Sequence, residues 1–348
     1  MKAKLFLPIF ITIMVFLWAQ VSAQITEYVG MCDASAALAI DDQHFIIAND
    51  EDNMLRVYHI DKKMPVSTYD LSAFMRIRYD DKSPESDIEG ATRLGDYYFF
   101  ITSHGRDRKG RLRRNRHQFF AVQVDPQSYE IAPVGSTYGE LMDDLMHVGA
   151  LKKVNIYDAF QPDDSKDDDL APKERGVNIE GLAAAADGAL LIGFRNPIPD
   201  DRALIVLLLN PFEVIARTSA PKFGSVFFMD MDGRGVRSLE YHPGLDQYLI
   251  VGGSRNGDMT SKIYRWDGRE NSKLIEIKDV DFTQFKKFNP EAITIYSADQ
   301  PLQIYSDDGT VMFRDRSGDK CECKDLEDAR DKQYRAMWID PEVLRIRD

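Results

Sequence analysis

The chain has 348 residues, of which 57 are acidic and 44 are basic, giving a formal net charge of −13 at pH 7. This acidic balance disfavours nucleic acid as a partner, because phosphate backbones bind positively charged surfaces. The length leaves room for two domains, although all-β folds of this size often form one.

The first 23 residues have the pattern of a secretory signal peptide. Lys2 and Lys4 precede an apolar stretch, and the small side chains of residues 21–23 follow it. This pattern predicts cleavage before Gln24 and export to the periplasm or the medium. The apolar stretch is shorter than the roughly 20 residues of a spanning helix. No later segment is long and apolar enough, so we expect no transmembrane span after cleavage.

Short strands dominate residues 24–348, which we predict to form a single all-β domain and a monomer. Each apolar run is bounded by Gly, Asp, Asn or Pro, as is typical of strands joined by turns. Five segments share one form, in which a loop with one polar residue precedes two apolar strands. They are "CDASAALAIDDQHFIIANDED", "SDIEGATRLGDYYFFITSHGR", "VNIEGLAAAADGALLIGFRNP", "GVRSLEYHPGLDQYLIVGGSR" and "FNPEAITIYSADQPLQIYSDD".

The aligned polar residue of each segment marks a repeat. The series is Ser35, Glu89, Glu180, Ser238 and Glu291, with spacings of 54, 91, 58 and 53 residues. Propeller blades recur at about 40–50 residues, so the pattern predicts a β-propeller of five blades, with six as the alternative. An irregular β-sandwich fits the even spacing less well.

The long spacing requires an insertion between blades 2 and 3, at about residues 137–176. Thr137 and Glu140 have the spacing of a capping box ahead of an amphipathic helix. The segment "QPDDSKDDDLAPKERG" then indicates an acidic surface loop.

Ring closure is predicted at the chain ends. The segment "ITEYVG" is a candidate outer strand for the fifth blade. Cys32 follows it, and in an oxidising compartment we expect a disulfide to Cys321 or Cys323. A link between Cys321 and Cys323 is the alternative, since spacing does not decide the pairing.

Propeller geometry brings the five aligned residues together, because every innermost strand runs along the central channel. Three carboxylates at close range do not all remain ionised without protons or a cation. Calcium takes 6–8 oxygen ligands, and its adaptable shell suits such a ring better than magnesium. We therefore predict a calcium site formed by Ser35, Glu89, Glu180, Ser238 and Glu291. In the alternative interpretation, the glutamates followed by glycine accept backbone N–H groups and only shape the turns.

Basic residues of the loops on the same face are predicted to bind an anionic substrate. The candidates are His104, Arg106, Arg195, Arg237 and Arg255, since arginine binds phosphate and carboxylate in a bidentate manner. In the alternative, the arginines neutralise nearby acidic residues. The basic segment "RDRKGRLRRNR" extends this surface, pairs with the acidic loop, or is simply solvated.

Three resemblances follow from these residues. The "IEG" segments resemble an uncharacterised bacterial propeller-like family described as a domain of unknown function, over most of the chain. The I-E-G loop is also similar to that of esterase-like phytase propellers. The Ser, Glu, Glu, Ser, Glu order resembles that of calcium-activated nucleotidases (apyrases), which are five-bladed propellers with one calcium ligand per blade. Their D-D-R-T-G motif corresponds here only to "NDEDN", without its arginine and glycine.

These observations favour an exported calcium-binding propeller that hydrolyses a phosphate ester or anhydride, with Asp50 or Glu51 as general base. The alternative is a non-catalytic module in which calcium stabilises the blades and the basic rim binds an anionic glycan or protein. The chain contains no G-x-S-x-G, H-E-x-x-H, P-loop or dinucleotide motif.

Overall fold

The computed structural model describes residues 24–78, 84–257, 260–315 and 317–345. Five antiparallel four-stranded sheets form the blades of a β-propeller. The innermost strand of each blade contacts the innermost strand of the next, and the fifth contacts the first, so the ring is closed. The predicted fold, including the number of blades, is confirmed. The predicted signal peptide at residues 1–23 lies outside the described residues.

The strands follow one another from the centre of the ring outward in each of the first four blades. Blade 1 contains β2 (Ala36–Ala39), β3 (His44–Ala48), β4 (Met54–His59) and β5 (Ser67–Asp70). Blade 2 contains β6 (Ile88–Leu94), β7 (Tyr97–Thr102), β8 (Phe119–Val124) and β9 (Ile131–Tyr138). Blade 3 contains β10 (Asn178–Ala184), β11 (Leu190–Asn196), β12 (Arg202–Leu208) and β13 (Phe223–Asp230). Blade 4 contains β14 (Gly235–His242), β15 (Gln247–Gly253), β16 (Lys262–Trp266) and β17 (Ile275–Ile277).

Blade 5 is built from both ends of the chain. From the centre outward it contains β18 (Pro290–Thr294), β19 (Leu302–Ser306), β22 (Gln333–Ile339) and β1 (Gln24–Val29). β1 pairs antiparallel with β22 from Gln24 opposite Trp338 to Val29 opposite Gln333. The N-terminal segment therefore supplies the outer strand, as predicted. A separate hairpin, β20 (Met312–Arg314) and β21 (Lys320–Glu322), projects between β19 and β22.

Apolar side chains fill the spaces between blades. Strands near the ring centre have few exposed residues because both of their faces pack against neighbouring sheets. At the junction of blades 5 and 1 the packing is aromatic, with the buried rings of Tyr28, Phe45, Tyr58, Tyr305 and Tyr334. This junction joins residues far apart in sequence, so apolar packing holds the first and last blades together.

The bond that closes the ring is a disulfide between Cys32 and Cys323, whose Cα atoms are 5.9 Å apart. Cys32 follows β1, and Cys323 follows the hairpin strand β21. Cys321 is free and packs against the disulfide. Of the pairings left open by the sequence, the structure therefore selects Cys323 and excludes the link between Cys321 and Cys323.

The insertion lies between β9 and β10, where it was predicted, and it contains three short helices. They are α1 (Leu141–Leu145), α2 (Gly149–Lys153) and α3 (Ile156–Phe160). Leu141 and Leu145 are buried against blades 2 and 3. The predicted capping box is wrong, because Thr137 belongs to β9 and the N-cap residue of α1, Glu140, makes no side-chain cap. Its carboxylate instead accepts a 3.0 Å hydrogen bond from Arg217.

Two further short helices, α4 (Pro211–Ile215) and α5 (Pro341–Leu344), follow β12 and β22. Of the helices that the structure describes, none has the length and apolar character needed to cross a membrane.

The disulfide is expected to stabilise the closed ring. Cys32→Ser should lower the free energy of unfolding by about 2–4 kcal/mol, because it removes a crosslink that constrains the unfolded chain. The measurement is urea denaturation without reductant, and Cys321→Ser is the matched control with no loss expected. Equal stability of Cys32→Ser and the unsubstituted protein would contradict this role.

Candidate functional site at the mouth of the central channel

A β-bulge places one polar side chain of each of four inner strands at the channel. The register with the neighbouring strand skips one residue, and the skipped residues are Glu89, Glu180, Arg237 and Glu291. A bulged residue has no partner across the ladder, so its side chain can be directed away from the sheet. In blade 4 the bulge falls on Arg237 and not on Ser238. The predicted alignment is therefore wrong by one residue in this blade.

This arginine supplies a counter-charge within the ring. Arg237 Nε lies 3.3 Å from Glu180 Oε2, and its Nη2 forms an ion pair with Glu291 Oε1. Its Nη1 donates a 2.9 Å hydrogen bond to Asn289 Oδ1. Arg237 is only 5% exposed, so these contacts replace the hydration of its guanidinium. Two of the three predicted carboxylate ligands are thus paired with an arginine.

Arg195 is a second internal counter-charge for Glu180. Its Nη1 lies 2.6 Å from Glu180 Oε1, which also accepts a 2.8 Å hydrogen bond from Asn178. The pKa of Arg195 is raised despite burial, because of its interaction with Glu180. Its other guanidinium nitrogens donate to the carbonyl oxygens of Ser254 and Arg255. Arg195 and Arg237 therefore lie at the channel as predicted, and both contact acidic side chains there.

The two serines of the predicted ring bind neighbouring blades. Ser35 Oγ donates a 2.5 Å hydrogen bond to the carbonyl oxygen of Ile88, which joins blade 1 to blade 2. Ser238 Oγ accepts a 3.2 Å hydrogen bond from the amide of Ile293, which joins blade 4 to blade 5. Each serine of the predicted ring therefore links its own blade to the next one.

The glycine after Glu180 is required by close packing. A Cβ atom on Gly181 would approach Val236 Cγ1 to 2.6 Å. Neither this glycine nor Gly90, which follows Glu89, has a positive φ. Gly181 is therefore needed because it leaves room for the next blade. It does not serve to form a left-handed turn.

Below the bulges, the channel narrows to a cavity of about 10 Å³. Its lining includes Ser35, Glu89, Glu180 and Ser238, so four of the five predicted ligands do meet at the axis. The volume accommodates about one water molecule. Glu240 also lines this cavity, and burial raises the pKa of its carboxyl group to about 8.

The remaining predicted anion-binding residues have different environments. His104 is 1% exposed, and its Nδ1 donates a 2.8 Å hydrogen bond to the carbonyl oxygen of Thr102. Arg106 binds carbonyl oxygens of the insertion, including those of Gln161 at 2.6 Å and Asp163 at 2.8 Å. Arg255 has an exposed side chain. Thus Arg106 holds the insertion, and only Arg255 of these three is exposed to solvent.

The basic segment of residues 106–116 also makes internal contacts. Asp107 accepts hydrogen bonds from Arg111 and Arg113, each at 2.8 Å in its shortest contact. Arg114 lies 3.1 Å from Asp164 of the acidic loop. Of the alternatives left open by the sequence, pairing with the acidic loop therefore occurs, through this ion pair.

Five carboxylates converge at the mouth of the channel between blades 5, 1 and 2. We refer to Asp33, Asp50, Glu51, Asp87 and Glu89 as the acidic mouth. Their ligand atoms form two groups, Asp33 with Asp50 and Glu51, and Asp50 with Asp87 and Glu89. Within each group, one oxygen from every residue lies within 4.8 Å of the others. The predicted base Asp50 is thus brought together with the predicted base Glu51 in one group and with the predicted ligand Glu89 in the other.

Local strand ends explain this convergence. Asp50 and Glu51 follow β3, whereas Asp87 and Glu89 mark the start of β6. In antiparallel blades the inner strand begins on the face where the next strand ends, so these positions share one face. Asp33 and Asp87 were not predicted as site residues. Two features of the sequence could have identified them. Asp33 is adjacent to Cys32, which forms the ring-closing disulfide, and Asp87 directly precedes the I-E-G motif.

Neutralisation of the acidic mouth by protein groups is incomplete. Arg116 donates 2.8 Å hydrogen bonds to Asp87 and to Glu85. Asp33 Oδ2 and Asp50 Oδ1 are buried and have no hydrogen-bond partner among the described residues. Such unsatisfied carboxylate oxygens are costly unless a proton or a cation occupies the site.

The pKa values of these acids reflect their burial and their closeness to one another. Burial raises the pKa of Asp50 well above its usual value, and the nearby charges of Asp87 and Asp307 raise it further. Burial also raises the pKa of Glu89, with a further increase from the charge of Glu180. The pKa of Asp33 is raised by burial and by its contact with Asp307. The site therefore favours any positive species that can enter it.

Comparisons with known proteins give a family match. The model of a family described as "Protein of unknown function (DUF3616)" matches residues 33–143 and 140–289. Among curated proteins, none matches the chain. The resemblance to an uncharacterised family is thereby confirmed.

Solved structures with related architecture have low identity to this chain. Glutaminyl cyclase of Myxococcus xanthus is 11% identical, with 91% of this chain and 97% of that chain covered and a TM-score of 0.41. Virginiamycin B lyase of Staphylococcus aureus is 10% identical, with 91% and 99% covered and a TM-score of 0.37.

The arginine of the ring is expected to be essential for stability. Arg237→Met should lower the free energy of unfolding by about 3–5 kcal/mol, because it leaves buried Glu291 without its arginine and removes one of the two arginines that contact Glu180. Urea denaturation measures this, and Arg255→Met at an exposed arginine should change stability by less than about 0.5 kcal/mol. Adding Glu291→Gln to Arg237→Met should restore part of the loss. An unchanged stability of Arg237→Met would show that the ion pairs contribute nothing.

Buried neutral histidine is expected to make the protein acid-sensitive. Burial lowers the pKa of His104 from 6.5 to about 4. Its contribution to stability is therefore present above pH 6.5 and is lost as the pH falls towards 4, since the unfolded chain binds the proton more readily. This loss amounts to about 3 kcal/mol.

The measurement is the free energy of unfolding between pH 7 and pH 4. His104→Asn, which suits the left-handed backbone at this position, should show a shallower decline than the unsubstituted protein. His147→Asn at an exposed histidine should retain the full slope. Identical slopes for both variants would contradict the assignment.

Proposed function

The chain belongs to the DUF3616 family, and from this premise we propose that it is a calcium-binding β-propeller whose cation lies at the acidic mouth. Its protein ligands are Asp50, Asp87 and Glu89. The observation that carries the proposal is the convergence of these carboxylates within 4.8 Å, with the buried Asp50 Oδ1 lacking any described partner. Of the five ligands predicted from sequence, the proposal retains Glu89.

The geometry suits calcium. Ca²⁺ binds oxygen at 2.3–2.6 Å, so two ligand oxygens on one ion are at most about 5 Å apart. Three carboxylates, together with carbonyl oxygens and water, can reach the 6–8 ligands that calcium requires. Magnesium needs near-ideal octahedral geometry, which an irregular group of loop and bulge residues supplies less readily.

The proposed location is outside the cytoplasm. The disulfide between Cys32 and Cys323 supports an oxidising compartment, in agreement with the export signal inferred from the sequence. Calcium is plentiful in such compartments, so a site of moderate affinity would be filled there.

A specific observation also supports a catalytic role in phosphate ester or anhydride hydrolysis. Glu51 is exposed beside the buried Asp33, so solvent and substrate can reach the acidic mouth from one side. A bound cation would supply Lewis-acid stabilisation of a phosphoryl oxygen. Glu51 or Asp50 would accept the proton of the attacking water. The exposed Arg255 is the candidate contact for an anionic substrate.

Calcium binding is tested by calorimetric titration of Ca²⁺ into EDTA-treated protein, with thermal melts alongside. We expect binding and a higher melting temperature, since a ligand at 100 times its Kd stabilises by about 2.7 kcal/mol. Asp50→Asn should abolish both effects. Asp42→Asn, at an exposed carboxylate on the opposite face of the same blade, should preserve both. Absence of heat and of thermal stabilisation in the unsubstituted protein would refute the proposal.

Catalysis is tested with p-nitrophenyl phosphate and nucleoside triphosphates in the presence of Ca²⁺ or EDTA. We expect turnover only with Ca²⁺, and a loss of at least about 100-fold in Asp50→Asn, because that substitution removes a ligand and a candidate base. Asp42→Asn again serves as the control. Calcium-dependent stability without turnover would favour the other function inferred from sequence, a non-catalytic module that binds an anionic glycan or protein.

A further inference from the structure

The two carboxylate groups of the acidic mouth have one member in common, Asp50. We propose that the acidic mouth binds two divalent cations bridged by the Asp50 carboxylate, the second cation being held by Asp33, Asp50 and Glu51. This inference rests on the proposed calcium site and extends it to a dinuclear centre. Pairs of cations about 3.5–4 Å apart are a recurrent arrangement in phosphate-ester hydrolysis, where they contact the attacking and leaving oxygens.

The spacing of the ligand atoms favours two ions over one. The five side chains divide into two groups of three and do not form one larger group within 4.8 Å among the described residues. An ion held by Asp87 and Glu89 is therefore displaced from Asp33 and Glu51. Asp50 belongs to both groups, and a carboxylate has two oxygens, so it can contact one ion with each.

Asp33 is the independent evidence for the second ion. This side chain is 3% exposed, and its Oδ1 accepts a 2.7 Å hydrogen bond from the amide of Gly309. Its Oδ2 has no hydrogen-bond partner among the described residues. Its Oδ1 is thus fixed by the backbone after β19, and the carboxylate also belongs to the group with Asp50 and Glu51. A buried carboxylate held in this way is suited to a cation ligand.

The second ion would lie at the junction of the first and last blades. Asp33 follows Cys32, whose carbonyl oxygen accepts a 3.0 Å hydrogen bond from the amide of Asp308. Asp33 also forms an isolated β-bridge with Asp307. A cation bound there would link ring closure to the acidic mouth, in addition to the nearby disulfide.

A shared proton between Asp33 and Asp307 is the competing explanation for the unsatisfied oxygen. Asp307 Oδ2 accepts a 2.9 Å hydrogen bond from Asn289, and Asp307 Oδ1 accepts one from Gly309 at 2.9 Å. A proton on Asp33 would leave the first cation site intact and remove the second. The number of bound ions therefore distinguishes the two explanations.

The experiment is equilibrium dialysis of the full chain against Ca²⁺, with the bound metal counted by elemental analysis. We expect two Ca²⁺ per chain in the unsubstituted protein and one in Asp33→Asn. The asparagine oxygen can still accept from Gly309, so this variant removes charge without removing the backbone contact. Glu51→Gln, at an exposed position that should not affect folding, should weaken one of the two ions at least tenfold. Asp50→Asn should weaken both, and Asp42→Asn should retain two.

A second measurement detects the pair directly. With Mn²⁺ as the probe, two ions bridged by a carboxylate should give a spin-coupled electron paramagnetic resonance spectrum at two equivalents, and Asp33→Asn should give an uncoupled one. One Ca²⁺ per chain, unchanged in Asp33→Asn and Glu51→Gln, would overturn the dinuclear centre but leave the proposed calcium site. No bound Ca²⁺ in the unsubstituted protein would overturn both.

Discussion

The pairing of Arg237 with Glu180 and Glu291 is the interaction on which the centre of this propeller depends. Five inner strands converge on one axis, so any charged residue at their bulges loses water and lies close to its counterparts in the other blades. With glutamate at three bulges, the ring would carry uncompensated charge, and the fourth bulge supplies an arginine. Arg195 adds a second cation. The chain itself thus neutralises the blade 3 to blade 5 side of the channel.

On the opposite side of the channel, compensation by the described residues is weaker, since Asp33 Oδ2 and Asp50 Oδ1 have no hydrogen-bond partner among them. Glu89 lies at the third glutamate bulge, and the charge around it increases because Asp50 and Asp87 belong to the same group. Arg116 contacts Asp87 from outside this group. The asymmetry between a neutralised half and an acidic half is the reason that the proposed cation lies at the acidic mouth, away from the axis where the sequence repeat predicted it. The five blades therefore repeat in backbone structure, but the charged side chains at the channel differ from blade to blade.

Closure of the ring and formation of the acidic mouth are physically connected. β1 completes blade 5, and the chain then passes through Cys32 to Asp33 before entering blade 1. The same few residues therefore close the fold and deliver a buried carboxylate to the mouth of the channel. The hairpin that carries the cysteine partner begins just after Asp307, Asp308 and Gly309, which contact that segment. In blade 2, Arg106 binds carbonyl oxygens of the helical insertion. This residue of the basic segment therefore has a structural role.

The sequence by itself determined the strands, the five blades, the position of the insertion and the N-terminal closing strand. These features depend on local apolar runs, turn residues and repeat spacing, which are legible along the chain. It also identified Glu89, Glu180, Arg195 and Arg237 as channel residues. The tertiary structure alone decided that the bulge of blade 4 falls on Arg237 and not on Ser238, because a shift of one residue depends on pairing with β15. It likewise decided which cysteine pairs with Cys32 and which acids join Asp50, since Asp33 and Asp87 approach it only when loops from different blades meet.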